Sequence, residues 1–216
     1  MKNHLVASAL TALAILSASP ALAKEATPPA PAGAYTLDKA HGSLIVRMSH
    51  MTFSHFTARF TQFGVKLQID PRHPEKARLE ATIDPHSIDA DNPPAGFLDA
   101  LRGPDWLYAS KYPEITYRST KIERTGPKTA RVTGDLTLHG VTHPVVLNAT
   151  FNGGYPGFEM DPQARIGFSV RGHFSRSAFG ISYGVLPPHS IMGVGDDVEV
   201  IIEAELTGPA WKKPAK

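Results

Sequence analysis

The sequence contains no cysteine. That absence excludes a disulfide framework, thiol catalysis, Cys-ligated zinc and iron–sulfur clusters together. Charge of one sign is also missing: 22 Lys and Arg face 20 Asp and Glu, for a formal +2. No basic run longer than a dipeptide precedes Lys212-Lys213 near the C-terminus. A nucleic-acid partner is therefore not expected, because phosphate binding shows as a clustered basic face. There is no Gly-x-Ser-x-Gly elbow, no phosphate-cradling glycine loop and no dinucleotide fingerprint. Gly and Pro number 18 and 19, about 17% of 216 residues, short of the ~25–30% of low-complexity chains. At 42% hydrophobic, the chain can bury a core.

The longest apolar stretch, Leu5 to Leu16, follows Lys2 and leads to Ala21-Leu22-Ala23. It is too short to span a bilayer, which takes ~20 residues. A positive start, a short apolar run and a small-x-small site read as a signal peptide over 1–23. The mature protein is then expected in the periplasm, or secreted, with no integral membrane segment. Residues 24–33 (KEATPPAPAG) read as an extended, solvated Pro/Ala linker. A barrel domain is expected over 34–208, and 209–216 are expected to form a flexible tail.

From Tyr35 onward the dominant period is two. Leu44, Val46 and Met48 alternate with Ile45, Arg47 and Ser49, Phe63, Val65, Leu67 and Ile69 with Gln62, Gly64, Lys66 and Gln68, and Leu79, Ala81 and Ile83 with Arg78, Glu80 and Thr82. Further runs at 114–123, 130–139, 145–151, 165–174 and 198–206 bring the count to eight strands, the half-buried signal in each case. Asp-Pro, Thr-Gly-Pro, His-Gly and Asn-Gly-Gly between them suit antiparallel hairpins. Helix is scarce, with one short period at Ala95–Arg102, a further turn at Pro104–Tyr108 and another period at Phe53, Phe56 and Phe60. The expected fold is all-β: a closed eight-stranded antiparallel barrel with one or two short helices. Such a barrel is just wide enough to be filled by side chains or to hold one small ligand. Inward-facing Gly134 and Gly172 either leave space for a cavity or curve the sheet.

The chemistry on offer is thin. His139 and His143 stand four apart on a hairpin turn, read as surface residues, and no third metal ligand is near. Asp196-Asp197 is ordinary turn chemistry. No catalytic residue, metal or cofactor is expected.

GDLTLHGVTHPVVL (134–147), FSRSAFG (174–180) and VGDDVEVIIEAEL (194–206) closely resemble the YceI-like family of exported bacterial proteins. ARFTQFGVKLQIDP (58–71), the His50 that ends the first strand and SKYPEITYRST (110–120) fit the same pattern in the same order. The resemblance runs from about Tyr35 to Leu206. It implies a lipocalin-like barrel whose apolar lumen holds a polyisoprenoid, an isoprenoid quinone or a similar long-chain amphiphile, for transport or storage. The lumen candidates are His50 and Phe63 on early strands, Phe97, Leu98 and Trp106 on the short helices, and Phe168, Arg176 and Phe179 late in the chain. Where the family commonly has an Arg-Asp pair and a His-Leu-Arg-Ser run, this chain has Phe97-Leu98 and Ala100-Leu101-Arg102-Gly103. Ala178 replaces a frequent acidic residue, so the mouth is expected to be more apolar. Residues 181–193 form a long loop, either a lid or a stiffened surface loop. The competing reading is an envelope scaffold with a filled barrel. A homodimer stays open on either reading.

Overall fold

The computed structural model describes residues 30–212. The signal segment, the linker as far as residue 29 and the tail from residue 213 lie outside the described residues. Ten strands form: β1 (Gly33–His50), β2 (Ser54–Phe60), β3 (Phe63–Ile69), β4 (Arg78–Ile83), β5 (Ile88–Asp89), β6 (Ile115–Arg124), β7 (Thr129–Leu138), β8 (Val141–Tyr155), β9 (Gln163–Ser175) and β10 (Asp197–Ala210). One helix, α1 (Phe97–Arg102), lies between β5 and β6. Every ladder is antiparallel, and β10 pairs with β1 to close the sheet on itself.

The ten strands occupy eight barrel positions. β1 pairs with β3 through Gly33–Thr36 and with β2 through Ile45–His50, so β2 and β3 are halves of one arm. β4 and β5 are likewise halves of the next, pairing with β3 and β2 respectively. Both arms break where Pro85, which lacks an N–H, starts a 3₁₀ turn capped by the Asp84 carboxylate on the His86 N–H. Ser87 stitches the two breaks together: its carbonyl accepts from Thr61 N–H at 3.1 Å and its Oγ from Gln62 N–H at 3.1 Å. The break also offsets the side-chain alternation by one residue. Phe56, Ala58 and Phe60 face inward before it, and Phe63, Val65 and Leu67 after it.

Several local expectations need correction. The period at Phe53, Phe56 and Phe60 forms no helix, because β1 offers its ladder and Phe56 and Phe60 join β2 beside it. Phe53 sits at the hairpin tip, after Met51 and Thr52 at φ 50° and 59°. The linker does not stay solvated to its end: Ala30 is buried, and the Pro31 carbonyl accepts from the Tyr35 hydroxyl at 2.6 Å. Gly134 leaves no void, since a Cβ there would strike the Tyr117 ring, and it stands opposite the bulge between Ser119 and Lys121, where the sheet bends. Tyr117 fills that space and donates to the Val132 carbonyl at 2.9 Å, with Val145 O at 3.2 Å. Gly172 makes the same room for Leu147. Ordered structure also runs past residue 208, because β10 continues to Ala210 and Trp211 N–H donates to Pro162 O at 2.7 Å.

Candidate functional site: the barrel lumen and its mouth

The alternating inward faces do not fill the barrel. They enclose a cavity of about 270 Å³, measured as the space that the centre of a water-sized sphere can reach. One water needs ~10–15 Å³ by that measure, so the interior is far from solid. The wall runs from Ile69 and Leu206 at one end to Trp106 and Arg176 at the other, which is also the end where α1 lies. Val198 to Leu206 on β10 alone covers roughly 27 Å of strand, or ~20 Å along the axis of a barrel with the usual tilt. Among the described residues, Arg176 is the only charged one on the wall.

Four of the eight sequence candidates line this cavity: Phe63, Trp106, Phe168 and Arg176. The other four sit elsewhere. His50 is exposed, because it ends β1 where the strand leaves the barrel for the hairpin tip. Phe97 and Leu98 pack from outside on the core, Phe97 edge-on to Phe56 with centroids 5.3 Å apart. Phe179 is buried behind the wall, edge-on to Phe174 and His143. Sequence reasoning missed Tyr117 and Ile122 as wall residues. Tyr117 was legible in the Ile115/Tyr117 alternation, but Ile122 follows a bulge between Ser119 and Lys121 that shifts the parity.

Arg176 begins the 3₁₀ turn Arg176–Phe179 and is 2% exposed. Its Nε donates to Gly195 O at 2.9 Å. Nη1 donates to Ile181 O and Tyr183 O at 3.1 and 2.8 Å, and Nη2 to Val194 O at 3.2 Å. The guanidinium also lies 4.8 Å from the Trp106 ring centroid, and Trp106 meets Tyr183 edge-on at 6.0 Å. Burial pulls the Arg176 pKa below its usual value, against the pull of Asp196. The Asp196 carboxylate itself is committed to Ser175 Oγ and to Ser177 N–H and Oγ. One side chain thus ties four carbonyls of the 181–195 loop to the barrel.

The same end gathers the motifs that the sequence scattered. His139 and Gly140 form a two-residue turn with φ 53° and 77°, the left-handed pair that suits a twisted hairpin. His139 is not a surface residue. Its ring packs on Tyr112, with centroids 4.9 Å apart, and Nδ1 donates to Phe179 O at 3.2 Å. Because that carbonyl can only accept, Nδ1 carries a proton, and Nε2 is buried without a partner among the described residues. The turn therefore pins SKYP, LHGVTH and FSRSAFG to one another. His143 is exposed.

Asp38, His41 and Glu205 each bring one potential metal-ligating atom within 4.8 Å of the others. Arg165 Nη1 already lies 2.7 Å from both Asp38 and Glu205, with Nε 2.6 Å from Asp161. The guanidinium supplies the cation there.

With this geometry in place, a family model for the YceI-like domain matches residues 35–206. The chain belongs to the YceI-like family. It is 34% identical over 183 residues to a UPF0312 protein of Pseudomonas savastanoi pv. phaseolicola, covering 84% of this chain and 88% of that one. A UPF0312 protein of Vibrio cholerae is 30% identical over 175 residues, covering 79% and 85%. Among solved structures, BcnA of Burkholderia cenocepacia superposes with a TM-score of 0.66 at 26% identity, over 78% of this chain and 98% of that one. A polyisoprenoid-binding domain from Saccharophagus degradans, described as implicated in plant cell wall breakdown, gives 0.56 at 18% identity, over 82% and 99%. That likeness is one of fold.

Proposed function

We propose that this YceI-like protein is a lipid carrier rather than an enzyme. It encloses one isoprenoid chain, of the polyisoprenoid or isoprenoid-quinone type, along the barrel axis. The observation that carries the reading is the cavity, apolar along its length and with a single charged residue at one end. A chain lies in the apolar part, and its acceptor-bearing head sits beside Arg176. Four of the five guanidinium N–H donors go to loop carbonyls, leaving one for the lumen. The polyisoprenoid binding of the Saccharophagus domain supports this ligand class at the level of fold. The signal-like leader supports export to the periplasm, where such a carrier would serve transport or storage.

The test is organic extraction of the purified protein followed by mass spectrometry. A stoichiometric prenyl lipid is expected, and it should be lost in Ala81→Phe, which fills the wall without adding charge. A protein that carries no lipid and takes none up from a prenyl-lipid mixture would overturn the reading.

A further inference from the structure

Charge is present at both ends of the barrel: at the α1 end the segment between β5 and β6 holds Asp91, Asp99, Arg102, Asp105 and Lys111. At the end remote from α1, the loops carry Asp70, Arg72, Glu75 and Lys76 between β3 and β4, with Arg124 and Lys128 around the β6–β7 turn. At the α1 end, residues 48–58 and residues 177–195 contain no Asp, Glu, Lys or Arg, in a chain that is 19% charged. These uncharged stretches form one surface. Met51 N–H donates to Gly193 O at 2.9 Å and Gly195 N–H to Ser49 O at 2.7 Å, while His50 bridges to Val194. The joined loops hold four large apolar or aromatic side chains out in solvent: Phe53 at 74% exposure, Met192 at 66%, Tyr183 at 60% and Ile191 at 52%.

This rim is continuous with the cavity. Tyr183 packs on Trp106, and its carbonyl is held by Arg176; both of those residues belong to the wall. Scattered exposed apolar residues are ordinary, but a contiguous patch around a binding mouth marks an interaction surface. An uncharged patch with an aromatic hydroxyl among aliphatic groups has the chemistry that settles at the boundary between headgroups and acyl chains. We infer that the rim formed by Phe53, Tyr183, Ile191 and Met192 docks the protein, mouth first, on a lipid bilayer. The inference rests on the carrier reading for its purpose. A long apolar chain can then pass between bilayer and lumen along a continuous apolar path, while the opposite end stays in water.

The absence of cysteine supplies a clean probe. Met192→Cys and Met160→Cys, each labelled with a polarity-sensitive fluorophore, report the rim and the opposite end, where Met160 is 87% exposed. With vesicles of phosphatidylethanolamine and phosphatidylglycerol, the label at 192 should shift to the blue and the label at 160 should not. The same holds for neutral phosphatidylcholine vesicles, since the rim recognises apolar depth and not charge. In co-sedimentation, unlabelled Phe53→Ser/Met192→Ser should lose on the order of tenfold in vesicle binding per side chain removed. Its thermal melt and its extracted lipid should match the parent.

Equal shifts at both labels, no sedimentation of the parent, or unchanged binding by the double variant would overturn the proposal. So would a dimer that dissociates in the double variant while the parent ignores vesicles; the rim would then cover a second copy. Vesicle docking by a protein that never yields a lipid would sink the carrier reading and leave the docking surface standing. Extracted lipid without docking would do the reverse.

Discussion

Arg176 combines structure and recognition in one side chain. Its guanidinium is buried beside no dedicated carboxylate, and carbonyls from a patternless loop spread its charge. Removing it strands the carbonyls of Ile181, Tyr183, Val194 and Gly195, and hydrogen bonds to a charged group contribute ~1.5–3 kcal/mol each where they cannot be replaced by water. Arg176→Met should therefore cost about 3–5 kcal/mol, read as a lower urea midpoint. Arg176→Lys should recover only part of this, since an ammonium cannot reproduce the planar fork. An unchanged midpoint in the Met variant would show that the loop is held by other contacts. The Arg was legible in sequence as a lumen candidate, but its partners were not: main-chain carbonyls carry no side-chain pattern. His139 was misplaced for a related reason. A His-Gly turn reads as surface, and only the fold brings Tyr112 and Phe179 over it.

Among elements, alternation located all eight barrel positions. It missed the two broken arms, because the one-residue offset at Thr61-Gln62 looks like continuous pattern from either side. It was equally silent on the seam where β10 meets β1, whose ion cluster joins residues 127 and 40 positions apart along the chain. There Arg165, with help from His41 and the Ala40 N–H, holds the Asp38 carboxyl down to about 2. Asp161 is also lowered, by the Tyr155 hydroxyl and Arg165. A folded-state pKa below the unfolded one, ~3.9 for Asp, contributes stability that is complete above the unfolded value. That contribution is lost as pH falls from about 4 through about 2. The urea midpoint of the parent should thus decline across this window, and more steeply than that of Asp38→Asn. Parallel declines would show that the Asp38–Arg165 pair contributes nothing to closing the barrel; exposed pairs often contribute little.

At the scale of the whole molecule, an apolar lumen opens beside a rim of exposed apolar side chains. That arrangement fixes how affinity should respond to the ligand. Each buried CH₂ contributes about 0.8 kcal/mol, while association and ordering cost ~4–15 kcal/mol. A short prenyl chain therefore barely repays its own immobilisation, and each added isoprene unit tightens binding until the chain reaches the end of the lumen. The wall gives ~20 Å of axial length, and beyond it further units hang in water or lie on the rim and add little. The lumen has one charged group, already largely satisfied by carbonyls, so changing the head should alter affinity less than changing the length. Added salt should matter little, because screening acts on exposed charges and not on apolar burial. Titrating prenyl alcohols of increasing length, at low and high salt, should give affinity that climbs and then levels off, at both ionic strengths. Short and long chains binding alike, or affinity collapsing with salt, would mean that the polar head and not the chain is what the barrel recognises.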